Sequence, residues 1–527
     1  MLFNSYVFIF AFLPILYTLY AYLRRLPDDR IAMALMILGS LVFYAWGGWF
    51  FLWVFVGMMA VNVAVGQWLL KAQSGRKPLL IFGIGVNLAV LGYFKYAGFL
   101  ANNVNAALGT HFPILHLILP IGISFYTFMN IALLVDIYRG QVKNLSILEY
   151  CFFMSFFPHL VAGPILHHSE LVPQIKSAIR RPGYDDLCIG LSIFSIGLFK
   201  KVVVADGCAV YADAGYGALQ AGQALDPASA WITAISYAFQ IYYDFSGYSD
   251  MAIGLARMFG FVIPVNFFSP YRSASIVEFW RRWHITLSRF FRDYLYIPLG
   301  GGRFGPLRQT VNLVVVMLLG GLWHGANWTF VAWGGVHGVL LSVTHLIGKT
   351  SLGRSPLLKH PLTHVLGIGL TFMLVTLAWV LFRSSSLVEA GRMIGFLFPL
   401  DFSPVTALRS FQAFLSHQFG NPLSVLDPTT WAPARELWPQ PLPPDFLANA
   451  RPVGLWLAIV AAGTFMLPNT VQIFERFSPA LGLKGFPIAS RLALRHLGSR
   501  TAIAIALLFV IAVLHLSRVS PFLYFQF

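Results

Sequence analysis

The chain has 527 residues and a formal net charge of +16, yet only 11% of its residues are Asp, Glu, Lys or Arg and 57% are hydrophobic. Ordinary soluble domains carry roughly 25% charged residues, so this composition excludes a water-soluble surface over most of the length. The basic residues stand at the ends of apolar runs rather than in one block, which excludes a nucleic-acid-binding domain. Three cysteines without CxxC or Cys/His spacing exclude a disulfide scaffold and a zinc ribbon, and no metal site is expected.

The N-terminal stretch MLFNSYVFIFAFLPILYTLYAYLRR lacks a basic n-region and a small-residue cleavage site, so it is expected to be a retained first span over 7–23. Apolar runs near 31–46, 50–70, 79–101 and 114–137 are each long enough, or nearly so, to cross roughly 30 Å of hydrocarbon. Their loops alternate in charge. Arg24, Arg25 and Arg30, then Lys71, Arg76 and Lys77, then Arg139 and Lys143 follow the first, third and fifth spans, and the intervening loops carry no Lys or Arg. The positive-inside rule puts the N-terminus outside.

The segment 150–166 is broken by Pro158, Gly163 and Pro164 and is predicted to be re-entrant. Further spans are predicted near 186–205, 229–258, 310–326, 327–346, 363–383, 452–469 and 501–517. Between Asp401 and Arg451 a Pro-rich stretch reads as an exterior loop, and Lys484, Arg491, Arg495 and Arg500 mark a cytoplasmic loop before the last span. The fold class is an all-α polytopic membrane protein with about 11–13 transmembrane or re-entrant segments. Residues 1–385 form its core, 386–451 a Pro-rich loop and 452–527 the C-terminal membrane helices.

Ionisable groups inside apolar segments are costly and face a cavity or the bundle interior. Three stretches carry them. Gln240-Ile-Tyr-Tyr-Asp-Phe-Ser-Gly-Tyr-Ser-Asp250 sets Asp244, Ser246 and Asp250 in an apolar helical run, either as cavity residues or as a polar knot between helices. Glu278–Asp293, read as one amphipathic helix, puts Arg281, His284, Ser288 and Arg292 on a single stripe. Its arginines either meet lipid phosphates at the membrane interface or hold an anionic, phosphate-bearing donor, with His284 facing the reaction. Leu319-Gly-Gly-Leu-Trp-His324-Gly-Ala-Asn-Trp328 offers a histidine with Trp323 and Asn327 beside it. It is either a hydrogen-bonded core histidine or a reactive one given open space by its flanking glycines.

There is no GxSxG elbow, Walker A loop, HExxH or HxxxxD motif. The segments LPIGISFYTF (119–128), FFPHLVAGPI (156–165), YYDFSGYSDMAIGL (242–255), EFWRRWHITLS (278–288), RDYLYIPLGG (292–301) and LLGGLWHGANWTF (318–330) together resemble the membrane-bound O-acyltransferases, in particular their bacterial, polymer-modifying branch, which includes alginate O-acetylation. The resemblance implies a helical-bundle fold with His324 as the principal catalytic histidine and His284 as its partner, a position where the eukaryotic branch often has Asn. It also implies transfer from a thioester, acetyl-CoA, with no permanently bound cofactor, and the donor phosphates are expected near Arg281, Arg282, Arg289 and Arg292. The implied setting is the lipid of a bacterial inner membrane, with a polysaccharide acceptor and a separate periplasmic SGNH-hydrolase-like acetyltransferase as partner. Rival readings are D-alanyl transfer to teichoic acid, acetylation of another polymer such as cellulose or peptidoglycan, and, outside the family, an export channel or a non-catalytic scaffold.

Overall fold

Where no water is at hand, backbone N–H and C=O groups have to be satisfied within the chain, which leaves helices for runs this apolar. A computed structural model describes residues 1–114, 117–176, 183–351, 355–356, 360–398, 450–482, 485–516 and 523. Among the described residues, six helices are long and apolar enough to cross a membrane: Trp49–Lys71, Arg76–Leu108, Tyr184–Gln220, Gly305–His324, Trp328–Lys349 and Pro361–Arg383. Phe8–Leu23, Ile123–Tyr138, Val453–Met466 and Ser499–His515 are shorter apolar helices. Among the described residues, the β structure amounts to one bridge between Pro264 and Leu481.

Several boundaries differ from the sequence expectation. The span foreseen over 114–137 is helical from Ile123 to Tyr138, because Pro113 and Pro120 interrupt its first part. The run 186–205 continues to Gln220 through a π-helical turn, Lys200–Ala205. The Pro227–Met258 helix, 32 residues long, is buried along most of its length and is not among the six spanning candidates. The broken segment 150–166 forms two short helices, Ile147–Ser155 and Phe157–Leu160, and is buried from Phe152 to Leu166. Most of the Pro-rich loop, 399–449, and Lys484 lie outside the described residues.

Tyr184–Phe199 and Pro227–Met258 touch backbone to backbone. A Cβ on Gly190 would stand 2.6 Å from Gly254 O, and one on Gly197 2.7 Å from Gly247 O, so small residues set this crossing, as in membrane helix pairs generally.

The basic helix ends gather at one face of the bundle. Arg76 donates to Ile137 O (3.1 Å) and Arg139 to Asp293 O (3.3 Å). Arg303 and Arg308 flank the start of Gly305–His324. At about 1.5 Å per residue that helix carries His324 roughly 30 Å from the basic end.

Candidate active site

The amphipathic helix foreseen over Glu278–Asp293 is not continuous. Ile276–Arg282 ends at Trp283, His284 takes a left-handed backbone (φ 42°, ψ 55°), and a second helix runs from Ile285 to Phe291. The four-residue polar stripe is therefore lost: Arg281 and Arg292 are exposed, while His284 is fully buried. Asn266, on the extended segment before, makes the break possible. Its backbone carbonyl accepts from Ile285 N (3.0 Å), and its side-chain Oδ1 accepts from Thr286 N (3.3 Å) and Thr286 Oγ1 (3.0 Å). Amides orphaned at a helix start are thereby satisfied from another segment.

This arrangement fixes the histidine tautomer. A backbone N–H only donates, so the Asn266 atom facing Thr286 is the oxygen, and the His284 Nδ1 that lies 3.1 Å from the same oxygen carries the proton. Nε2 is left with its lone pair, buried and without a hydrogen-bond partner among the described residues. His284 lies in none of the six spanning helices, and burial pushes its pKa down to about 3, which keeps the ring neutral.

Trp323 stands between the two histidines, its ring 6.1 Å from that of His284 and 4.9 Å from that of His324. His324 and Trp323 line a cavity of about 80 Å³ together with Lys95, Leu119–Phe125 and Val161. The floor of this cavity is the start of the Ile123–Tyr138 helix. Gly122 begins it at φ 74°, where a Cβ would also lie 2.7 Å from Leu160 O, so glycine is needed for both the turn and the close approach of the 160–161 backbone.

The glycines around His324 do not give it open space, as the sequence suggested. A Cβ on Gly321 would overlap Phe330 O, and one on Gly325 would overlap the Phe330 ring. They let the Gly305–His324 and Trp328–Lys349 helices pack tightly, and the cavity lies on the other side, toward Lys95 and Gly122.

The other sequence candidates lie apart from the cavity. Asp244 pairs with Lys201 (2.6 Å), which also pairs with Asp206 (2.8 Å), and Asp250 pairs with Lys200 (2.6 Å) and accepts from Thr470 Oγ1 (2.6 Å). The Asp244 and Asp250 ion pairs each tie the Pro227–Met258 helix to the π-helical turn Lys200–Ala205. Ser246 Oγ is buried without a partner among the described residues. Asn327 caps Trp328–Lys349 by accepting from Thr329 N (3.1 Å) and donates to Ser385 O (2.9 Å). Of the arginines, Arg282 pairs with Glu278 (2.6 Å), Arg289 with Glu170 (2.5 Å) and Arg292 with Asp293 (2.7 Å), which leaves Arg281 without a carboxylate among the described residues.

Three residues around the site were not picked out from the sequence. Lys95, in the π-helical turn Gly92–Tyr96, donates to Trp323 O (2.5 Å) and His324 O (3.0 Å), while Tyr96 donates to Leu322 O (2.9 Å). Both satisfy carbonyls at the C-terminus of the histidine helix, where a cation is favoured. A lone lysine inside the apolar run 79–101 was the available signal. His337, whose Nδ1 accepts from Trp280 Nε1 (3.3 Å), shares Trp333 with His324: the ring distances to Trp333 are 4.9 and 5.2 Å.

A family model of the membrane-bound O-acyltransferases matches residues 83–376, a stretch that contains Lys95, Asn266, His284 and His324. The chain is a membrane-bound O-acyltransferase. A peptidoglycan O-acetyltransferase of Helicobacter pylori is 42% identical over 423 residues, 75% of this chain and 79% of that protein. A probable alginate O-acetylase of Pseudomonas putida is 39% identical over the full length of both chains. A teichoic acid D-alanyltransferase of Streptococcus thermophilus is 29% identical over 50% of this chain and 68% of that protein. Membership of this acyltransferase family removes the export-channel and scaffold readings as accounts of the buried histidines.

Proposed function

We propose that this O-acyltransferase takes an acetyl group from acetyl-CoA at its basic, cytoplasmic end and delivers it to a hydroxyl acceptor at the opposite end. The product is an O-acetylated exopolysaccharide such as alginate, reached through a separate periplasmic SGNH-hydrolase-like acetyltransferase, and the membrane is a bacterial inner membrane. The observation that carries the reading is a cavity-lining His324 next to a neutral His284 whose Nδ1–H is held by Asn266, which leaves its Nε2 lone pair open. His324 takes the proton from the acceptor hydroxyl, the oxygen attacks the thioester carbonyl, and the C–S bond breaks. The leaving thiolate then receives that proton from the imidazolium. No enzyme nucleophile is needed, and a water-poor cavity protects the thioester from hydrolysis. His284 lies behind Trp323 as a second proton acceptor.

Full-length likeness to alginate O-acetylases supports acetyl over D-alanyl transfer, where the likeness covers half the chain. The 42% identity to a peptidoglycan O-acetyltransferase supports a second reading in which the polymer is peptidoglycan. Proteoliposomes of the purified chain, supplied with labelled acetyl-CoA, an SGNH-type partner and either oligomannuronate or peptidoglycan fragments, test both. Label is expected on one glycan and absent with His324→Ala. Label on neither, or equal label with His324→Ala, overturns the proposal.

A further inference from the structure

The cavity holds more polar chemistry than a base alone uses. Ser124 is nine-tenths buried (8% exposed), lines the same cavity as His324, and its hydroxyl has no hydrogen-bond partner among the described residues. Several helical serine hydroxyls bond back to a carbonyl four residues earlier, as Ser155, Ser192, Ser195 and Ser342 do at 2.7–2.8 Å, although those of Ser236 and Ser246 do not. Ser124 is the second residue of Ile123–Tyr138, where Pro120 O is already used by Ile123 N (3.1 Å). The N-cap of that helix is Gly122, so no side chain caps its first turn, and Gly122, Ile123 and Ser124 all line the cavity. Lys95 faces them. A lysine ammonium has three donors, two of which go to Trp323 O and His324 O, and no carboxylate lies against it among the described residues.

A lysine whose partners are carbonyls, an unpartnered hydroxyl and the positive end of a helix, whose Ile123 and Phe125 amides already bond Pro120 O and Gly122 O, share one small cavity with a histidine base and together favour negative charge there. In acyl transfer, that charge develops on the carbonyl oxygen when the carbonyl carbon becomes tetrahedral. We infer that Ser124 and Lys95 bind the acyl carbonyl oxygen and hold it as the oxyanion during transfer, with the start of Ile123–Tyr138 behind them. As the acceptor oxygen bonds to the carbonyl carbon, the C=O π electrons move onto this oxygen, and they return when the C–S bond breaks and the thiolate leaves with the proton from His324. The inference rests on the thioester-donor reading above.

The test uses the purified full-length chain in detergent together with an SGNH-type partner, with acetyl-CoA as donor, and follows thiol release with and without oligomannuronate. Ser124→Ala removes one oxygen and no packing atom beyond it. It is expected to lower kcat about tenfold to hundredfold, below the 10²–10³-fold loss typical of a full oxyanion donor, with KM for both substrates within about twofold. Lys95→Met is expected to lower kcat further. Because it also uncovers two helix carbonyls, its elution profile and melting temperature are measured alongside, and Ser124→Ala decides if Lys95→Met fails to fold. If Ser124→Ala turns over like wild type while His324→Ala does not, the oxyanion inference is wrong and the acyl-transfer reading stands. If Ser124→Ala instead raises only the oligomannuronate KM, the pair binds an acidic acceptor and the inference is likewise wrong. If wild type releases no thiol, the donor reading fails and this inference falls with it.

Discussion

Two π-helical turns in this molecule each place lysine inside the bundle, and they treat it in opposite ways. Lys200 and Lys201, in Lys200–Ala205, are matched by Asp250, Asp244 and Asp206 at 2.6–2.8 Å. Lys95, in Gly92–Tyr96, meets two helix carbonyls and a tryptophan ring 5.9 Å away. Charges neutralised in place hold helices together. A charge left with neutral partners keeps its field for whatever enters the cavity. The π-turn, frequent at functional sites, is thus no guide by itself, and the carboxylates around it are.

That contrast can be broken in order of expected effect. On the cavity side, His324→Ala should reduce acyl transfer by a thousandfold or so, within the 10²–10⁴ range for a general base, with the melting temperature in detergent unchanged. A matching fall in melting temperature would make His324 a structural core residue. On the paired side, Lys201→Met should destabilise the fold by about 3–5 kcal/mol, because it leaves Asp244 buried and uncompensated. The double variant Lys201→Met with Asp244→Leu should recover most of that loss. If Lys95→Met proves as destabilising as Lys201→Met and no more harmful to turnover, the two turns do not differ in kind. Asn266→Ala frees the His284 tautomer and should cost tenfold or so in turnover, with a pH–rate profile altered from wild type, since the Nδ1–H partner is lost. Smallest of all, Arg292→Ala removes an exposed pair with Asp293 and should change stability by less than about 0.5 kcal/mol and leave the acetyl-CoA KM within about twofold. A large rise in that KM would restore Arg292 as a phosphate contact.

The helices and their ends were largely legible in the sequence because hydrocarbon leaves few alternatives: Asp29–Ala45, Trp49–Lys71 and Pro361–Arg383 begin and end within about two residues of the apolar runs. Two histidines that the resemblance named, His284 and His324, do meet at Trp323. What periodicity could not reveal was the break at His284, since a helix-like spacing over 278–293 continues straight through it. The cause, Asn266, sits 18 residues earlier in a segment with no pattern of its own. The glycines near His324 were misread for a related reason: sequence shows that a side chain is missing but not whether a backbone or a substrate fills the gap. Lys95 carried a readable signal, a single charge in an apolar run, and it was passed over.

The left-handed backbone at His284 has a further consequence for which residues this position can carry at all. Among side-chain-bearing residues, Asn, Asp and His enter that region most readily, and β-branched or bulky ones rarely do. Local geometry therefore draws up the short candidate set before any reaction is considered, and of that set only His brings a ring nitrogen with a free lone pair beside an N–H that Asn266 can hold. An exchange of His284 for Asn is, on this view, a substitution the backbone already permits. Change at this site can switch the proton chemistry on or off without refolding the turn that presents it.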